Sequence, residues 1–255
     1  MINKSFKSKM RTAISLVLSV LIWLVLWEVL ALIIDIEFIF PGAIKTFKTL
    51  SSLIFTSVFW KTIFASMYRI LLGLIFGILI GIALAFLHQF LPFAQQFISI
   101  GMTLIKSTPV ASIIMVLWVL IGSAHLPTAI GLLMVAPIIW QNLTDAFSSI
   151  DKDLAEVCDV FEFTPIKRFK ILIYPSLLKY FVPAALTSIG LAWKSGIAAE
   201  IIAYTKNSIG KSIFDAKNYF EGDVMLAWTI SVVVISLCFE QLTKFLIRRF
   251  VKNAA

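Results

Sequence analysis

Charge is what this sequence has least of: only 14% of its 255 residues are Asp, Glu, Lys or Arg, against about 25% in an ordinary soluble domain. Cysteine is nearly absent. Cys158 falls in a polar loop and Cys238 in the last apolar stretch, which excludes a disulfide framework, and no cluster of residues has the spacing of a metal site. The phosphate-binding loop GxxxxGK[ST] is missing, so the chain is not expected to bind or hydrolyse ATP by itself and carries no cofactor of its own. No low-complexity tract, separate soluble domain or internal repeat is visible. The formal net charge of +8 does not point to nucleic acid, because the basic residues gather near the ends of apolar stretches and are not interleaved with aromatics on one polar face.

Apolar side chains are abundant, at 60% of the sequence with mean hydropathy +0.98. Several stretches reach the roughly 20 residues that a helix needs to cross about 30 Å of hydrocarbon. A bilayer must therefore serve as solvent, and a soluble enzyme is ruled out. Hydropathy and breakers predict an all-α polytopic membrane protein, one transmembrane domain over residues 1–255, with six spans near 13–34, 63–87, 97–121, 127–148, 178–203 and 224–246. The first stretch follows the basic run Lys4, Lys7, Lys9, Arg11. It is longer than the apolar part of a signal peptide and has no small-x-small site before Asp35, so it reads as a retained span. Lys and Arg in the N-terminal tail, the 149–179 loop and the C-terminal end (Lys244, Arg248, Arg249, Lys252) outnumber those of the opposite flanks (Lys45, Lys48, Lys61, Lys206, Lys211, Lys217). That bias predicts a multi-pass protein of the cell membrane with both termini cytoplasmic.

Within the spans, Lys106-Ser-Thr-Pro109 interrupts the third and predicts a kink, since proline removes a backbone donor and crowds the preceding turn. Gly73, Gly77 and Gly81 line one face of the second, either to pack a helix of the same chain or to pair with a second copy.

The most informative polar segment runs from Asp151 to Pro175 and reads as two short helices. Leu154, Val157, Cys158 and Phe161 recur at i, i+3, i+4 and i+7, with Lys152, Glu156, Asp159 and Glu162 on other faces. Asp153 and Glu156 have the spacing of a capping box. Thr164 and Pro165 suit N-cap and N1 of a second helix made basic by Lys167, Arg168 and Lys170. Such a pair serves either to lie on anionic headgroups or to dock a soluble partner.

Here the sequence resembles the permeases of bacterial binding-protein-dependent ABC importers. Their loop reads E-A-A-x-x-x-G and closes with a hydrophobic residue and proline. Glu156-Val157-Cys158 stands at E-A-A and Tyr174-Pro175 closes the pattern, while Glu162 occupies the glycine position, so that either the turn is built differently or the motif has drifted. The resemblance narrows to the branch importing nitrate, sulfonates such as taurine, bicarbonate and some vitamin precursors. Phe40-Pro41-Gly42 resembles L-P-S-P, Ser66-Met-Tyr-Arg69 through Gly73 resembles S-L-x-R-x-x-x-G, and Lys106-Ser-Thr-Pro109 resembles R-x-x-P. Ala192-Trp193 and Ala199-Glu200 match A-W and A-E, whereas W-F-G is replaced by Leu120-Ile121-Gly122 with Trp118 displaced.

The resemblance implies the type I importer permease fold and a non-catalytic transport subunit. The implied partners are a second permease subunit, as a homodimer or with a similar chain, two cytoplasmic ATPases that bind ATP and Mg, an extracytoplasmic solute-binding protein and membrane lipid. It implies ATPase coupling through the loop at 151–174, with Leu154, Glu156, Val157, Cys158, Asp159, Phe161, Glu162, Pro165, Lys167 and Arg168 as contacts, and transport of a small anionic or vitamin-precursor-like solute by alternating access.

Charges inside spans cost roughly 2.5–3.5 kcal/mol each at the centre. Arg69, Lys106, Lys194 and Glu200, with Pro109 and Trp193, are therefore candidate pathway or gate residues. For Arg69 and Lys194 the alternative is snorkelling to headgroups, and for Glu200 a packed, hydrogen-bonded anchor. Lys194 and Glu200, six positions apart on one helix, do not form a local pair. Glu200 is expected to meet a charge on another span or subunit. Two rival functions remain at the level of sequence: an ion-coupled secondary transporter, and a membrane scaffold recruiting a soluble partner.

Overall fold

The computed structural model describes residues 2–254, with side chains described over 14–245. The basic run Lys4 to Arg11 and the C-terminal Arg248, Arg249 and Lys252 lie outside the residues whose side chains are described. The regular elements among the described residues are all helices: α1 (Ile2–Ile34), α2 (Ala43–Ile54), α3 (Ser57–Phe90), α4 (Pro92–Ser107), α5 (Val110–Ile121), α6 (Leu126–Ser148), α7 (Lys152–Val160), α8 (Pro165–Arg168), a π-helical turn (Phe169–Ile173), α9 (Tyr174–Ile202), α10 (Ile209–Asn218) and α11 (Gly222–Ala254). Five stretches are long and apolar enough to cross a membrane. They reach six if α4 and α5 count as one broken span. The helices group into two compact units, residues 1–60 with 212–232 and residues 61–211 with 233–255.

In the first unit, α1 buries none of its span Ile14–Ile34 within the chain. Its exposed Leu, Val, Ile and Trp side chains suit a lipid solvent. The lead-in Phe40-Pro41-Gly42 is held at the end of this helix: Trp27 Nε1 donates to the Pro41 carbonyl at 3.2 Å, and the Glu28 carboxylate accepts from Ile44 N–H at 3.2 Å. A Cβ at position 42 would stand 2.6 Å from both Glu28 oxygens, so a larger residue there must displace the end of the Glu28 side chain. The amphipathic helix α2 follows, unforeseen in the hydropathy reading because it is too short to span. Thr49 Oγ1 donates to Asp223 Oδ2 at 2.6 Å, and Gly222 N–H to the Phe38 carbonyl at 3.0 Å.

In the second unit, α6 and α9 pack along their lengths, around a core of Ile114, Leu126, Ile130, Met134, Ala199 and Ala203. The glycine stripe of α3 faces α6. A Cβ at Gly73 would fall 2.6 Å from the Thr128 carbonyl oxygen, at Gly77 2.6 Å from Val135 Cβ, and at Gly81 2.7 Å from Ile139 Cβ. The stripe therefore serves helix packing inside the chain.

The third expected span is corrected. The predicted kink in a single helix over 97–121 is a break, with α4 and α5 meeting at 104°. Thr108 and Pro109 are extended there, and Pro109 has no N–H with which to continue α4. α4 ends with Thr108 N–H still bonded to the Leu104 carbonyl, which also accepts from the hydroxyls of Ser107 and Thr108.

Candidate functional site

The polar loop is built around α7. Its N-cap is Asp151, whose Oδ1 accepts from Asp153 N–H at 2.9 Å and Leu154 N–H at 3.3 Å. The expected capping box of Asp153 and Glu156 is corrected, because those residues already lie inside the helix, beyond reach of its first free donors. At the far end Phe163 N–H donates to the Cys158 carbonyl at 2.9 Å and Glu162 N–H to the Asp159 carbonyl at 3.1 Å. This is a Schellman closure. It puts Glu162 at φ 48°, so the left-handed turn forms with glutamate in the glycine position.

Thr164 Oγ1 accepts from Lys167 N–H at 3.4 Å, with Pro165 at the first helical position as expected. The expected second short helix, however, is corrected. α8 passes through the π turn into α9 without a break, making one continuous segment from Pro165 to Ile202. Pro175 cannot donate, and its ring crowds the turn before it. Tyr174 N–H bonds instead to the Phe169 carbonyl, five residues back, which widens the helix ahead of the proline.

The apolar stripe of α7 is divided by this arrangement. Cys158 is buried, whereas Leu154, Val157 and Phe161 are 53%, 46% and 69% exposed. Glu156 is exposed on the same short helix. Arg168 Nη1 pairs with Asp159 Oδ1 at 2.6 Å, and Lys167 Nζ lies 3.9 Å from the centre of the Phe163 ring. Those basic residues brace α7 against the start of α8, leaving the acidic and apolar face of α7 open.

The intramembrane charges separate into two groups. Glu200 is fully buried near the end of α9. Its Oε2 accepts from Ser66 Oγ at 2.8 Å and Gly210 N–H at 3.2 Å, and its Oε1 faces Arg69 Nη1 at 3.4 Å. Arg69 also donates to the carbonyls of Lys206 at 3.0 Å and Asn207 at 3.2 Å. A Cβ at Gly210 would fall on Glu200 itself. Glu200 thus meets a charge on another helix of its own chain, and the cluster pins the 203–210 turn to α3. Ser66, Gly210 and the two carbonyls were not among the candidate residues. Ser66 was signalled by its place with Arg69 in the S-L-x-R resemblance and by their i, i+3 spacing, which shares a helix face. Lys106 and Pro109 are exposed at the α4/α5 break, Lys194 is exposed on α9 and Trp193 is buried. Among the described residues neither Lys106 nor Lys194 joins the Glu200 cluster.

Residues 77–252 match the model of the family described as the inner membrane component of binding-protein-dependent transport systems. The chain belongs to this family. Its members are the membrane-spanning, non-catalytic permease subunits of ABC importers. Among curated permeases, the chain is 32% identical over 115 residues to the bicarbonate transport system permease protein CmpB of Synechocystis sp., covering 44% of this chain and 41% of that one. The match thus spans about two fifths of that relative. It is 22% identical over 216 residues to the putative aliphatic sulfonates transport permease protein SsuC of Bacillus subtilis, covering 84% and 78%.

The permease fold is also shared with solved structures at 16% identity. A chain of the inward-facing MetNI methionine ABC transporter aligns with TM-score 0.62 over 78% of this chain and 97% of its own. One from a bacterial ABC transporter importing the acidic polysaccharide alginate aligns with 0.63 over 95% and 96%. At that identity these neighbours speak to the fold alone.

Proposed function

We propose that this permease moves a small anionic or vitamin-precursor-like solute into the cell by alternating access, driven by two separate ATPases that bind ATP and Mg. A second copy of the chain completes the pathway, and an extracytoplasmic binding protein delivers the solute. On this reading both termini and the 151–174 loop are cytoplasmic, and nucleotide-driven closure of the ATPases enters the permease through α7. The observation that carries the proposal is the face of α7: Leu154, Val157 and Phe161 stand exposed beside Glu156 on a helix whose own chain braces it only from behind. The continuous segment from Pro165 to Ile202 offers a rigid route from that helix into the membrane. Lys106 at the α4/α5 break and Lys194 on α9 supply positive charge within spans. The two curated relatives are named for bicarbonate and sulfonates, both anions. Ion-coupled transport is disfavoured because Glu200, the buried acid it would use, is already engaged by Ser66, Arg69 and Gly210.

The test is co-purification with a candidate ABC ATPase subunit expressed together with the permease, together with solute uptake into proteoliposomes. Glu156→Lys should abolish ATPase association and uptake while leaving the permease folded. Unchanged association and uptake would overturn the docking role of α7.

A further inference from the structure

One face of α9 is buried against its own chain, through Ala184, Ala185, Ser188, Ala192, Ser195 and Ala199. The other carries Lys179, Pro183, Thr187, Gly190 and Lys194, at spacings of four, four, three and four that place them on one side of the helix. Lys179, Pro183, Thr187 and Lys194 are exposed, and a Cβ at Gly190 would meet no atom within 4 Å. The Thr187 hydroxyl donates back to the Pro183 carbonyl at 3.0 Å. Lys194 forms none of the ion pairs or hydrogen bonds among the described residues.

Depth makes this face unusual. Lys194 lies eight residues from Ile202, about 12 Å along the helix, and twenty from Tyr174, about 30 Å. Neither end is within reach of a four-carbon stem. The exposed face of α1 contrasts with it, being almost wholly apolar over residues 14–26, with the Ser19 hydroxyl returned to the Ser15 carbonyl. Lipid can solvate α1 in that state but not an unpaired ammonium.

We infer that the Pro183, Thr187, Gly190 and Lys194 face of α9 lines the aqueous path, and that Lys194 makes the path selective for oxyanions of the carboxylate, bicarbonate or sulfonate class. This deepens the transport reading above and rests on it. Gly190 leaves width beside Thr187, Thr187 provides a hydroxyl and a carbonyl-bonded turn, and Lys194 provides a fixed positive charge one turn further on. An ammonium in a narrow low-dielectric passage raises the local concentration of anions and repels cations.

The test uses the full importer in membrane vesicles, with the exposed Cys238 replaced by alanine, the buried Cys158 kept, and one cysteine added at a time, Thr187→Cys, Gly190→Cys and, as a lipid-facing control, Val20→Cys, each read against the Cys238→Ala background. Each is reacted with two membrane-impermeant methanethiosulfonates of similar size, one sulfonate and one trimethylammonium. The cysteines at 187 and 190 should react about tenfold faster than the one at 20. They should favour the anionic reagent, and Lys194→Gln should erase that preference. Reactivity no greater than at position 20 would mean a dry face against lipid or a second copy and would overturn the inference. A preference for the cation, or one indifferent to Lys194→Gln, would overturn anion selection. ATP-dependent uptake is measured in vesicles that carry the unsubstituted importer: its absence counts against the transport reading, whereas uptake there with an unreactive face in the cysteine variants sinks only this inference.

Discussion

Glu162 closes α7 at φ 48°, a conformation that costs a residue with a Cβ about 1–2 kcal/mol. Glycine would relieve this strain but loses more backbone freedom on folding. Glu162→Gly should therefore stabilise the protein by up to about 1 kcal/mol, and β-branched Glu162→Val should destabilise it, as read by thermal unfolding in detergent. The resemblance left open whether this turn forms. Only the Phe163 to Cys158 and Glu162 to Asp159 hydrogen bonds decide that it does. Glu200 shows the same limit differently. Its burial and acidity marked it as important, but a motif cannot tell a carboxylate that meets solute from one that ties Ser66, Arg69 and Gly210 together. Glu200→Ala leaves those buried donors unmatched, at about 1–3 kcal/mol each. It should sharply reduce accumulation in membranes and thermal stability, with Glu200→Gln, which keeps an acceptor, milder.

For whole helices, legibility followed periodicity and length. Long apolar stretches identified α1, α3, α6, α9 and α11 because crossing a bilayer demands them. The short amphipathic helices α2 and α10 were missed, since each is fixed by contacts with residues far away in sequence, such as Thr49 with Asp223 for α2 and Ile209 with Ser66 for α10. The glycine stripe was legible as a stripe but not in its partner. Gly77→Leu should overpack the α3/α6 interface, with a cost of about 1–3 kcal/mol seen as lower yield and melting temperature. Gly101→Ala on α4, where a Cβ meets nothing within 4 Å, should be neutral or stabilising by up to about 1 kcal/mol. Equal effects of the two would remove the packing argument. The α4/α5 break went further than the expected kink because Thr108 turns extended together with Pro109.

In the whole molecule the question is how a subunit that does no chemistry is driven. The open face of α7 and the unbroken path into α9 make Glu156 the cleaner site for charge reversal than Asp159, which is also spent on Arg168. Asp159→Lys should lose a partly exposed ion pair worth about 0.2–1 kcal/mol in addition to any partner contact. Glu156→Lys should lose only the contact. Comparing their melting temperatures with their ATPase association separates the two effects: Glu156→Lys should bind less without melting earlier. Solute-stimulated ATP hydrolysis in the reconstituted complex, abolished by Glu156→Lys, is the matching functional outcome and would exclude a scaffold without transport.

The sequence by itself determined that the chain lives in a membrane, where its principal helices run and which segment between spans is polar enough to stand outside it. Each follows from a local requirement, since a span must be long and apolar and an exposed loop must be polar. Tertiary structure alone decided that Glu200 is bound to Arg69 of the same chain, that the glycine stripe packs α6, and that Lys194 stands on an open face with no ion pair or hydrogen bond among the described residues. Such outcomes depend on which distant residues meet, and no local pattern records that.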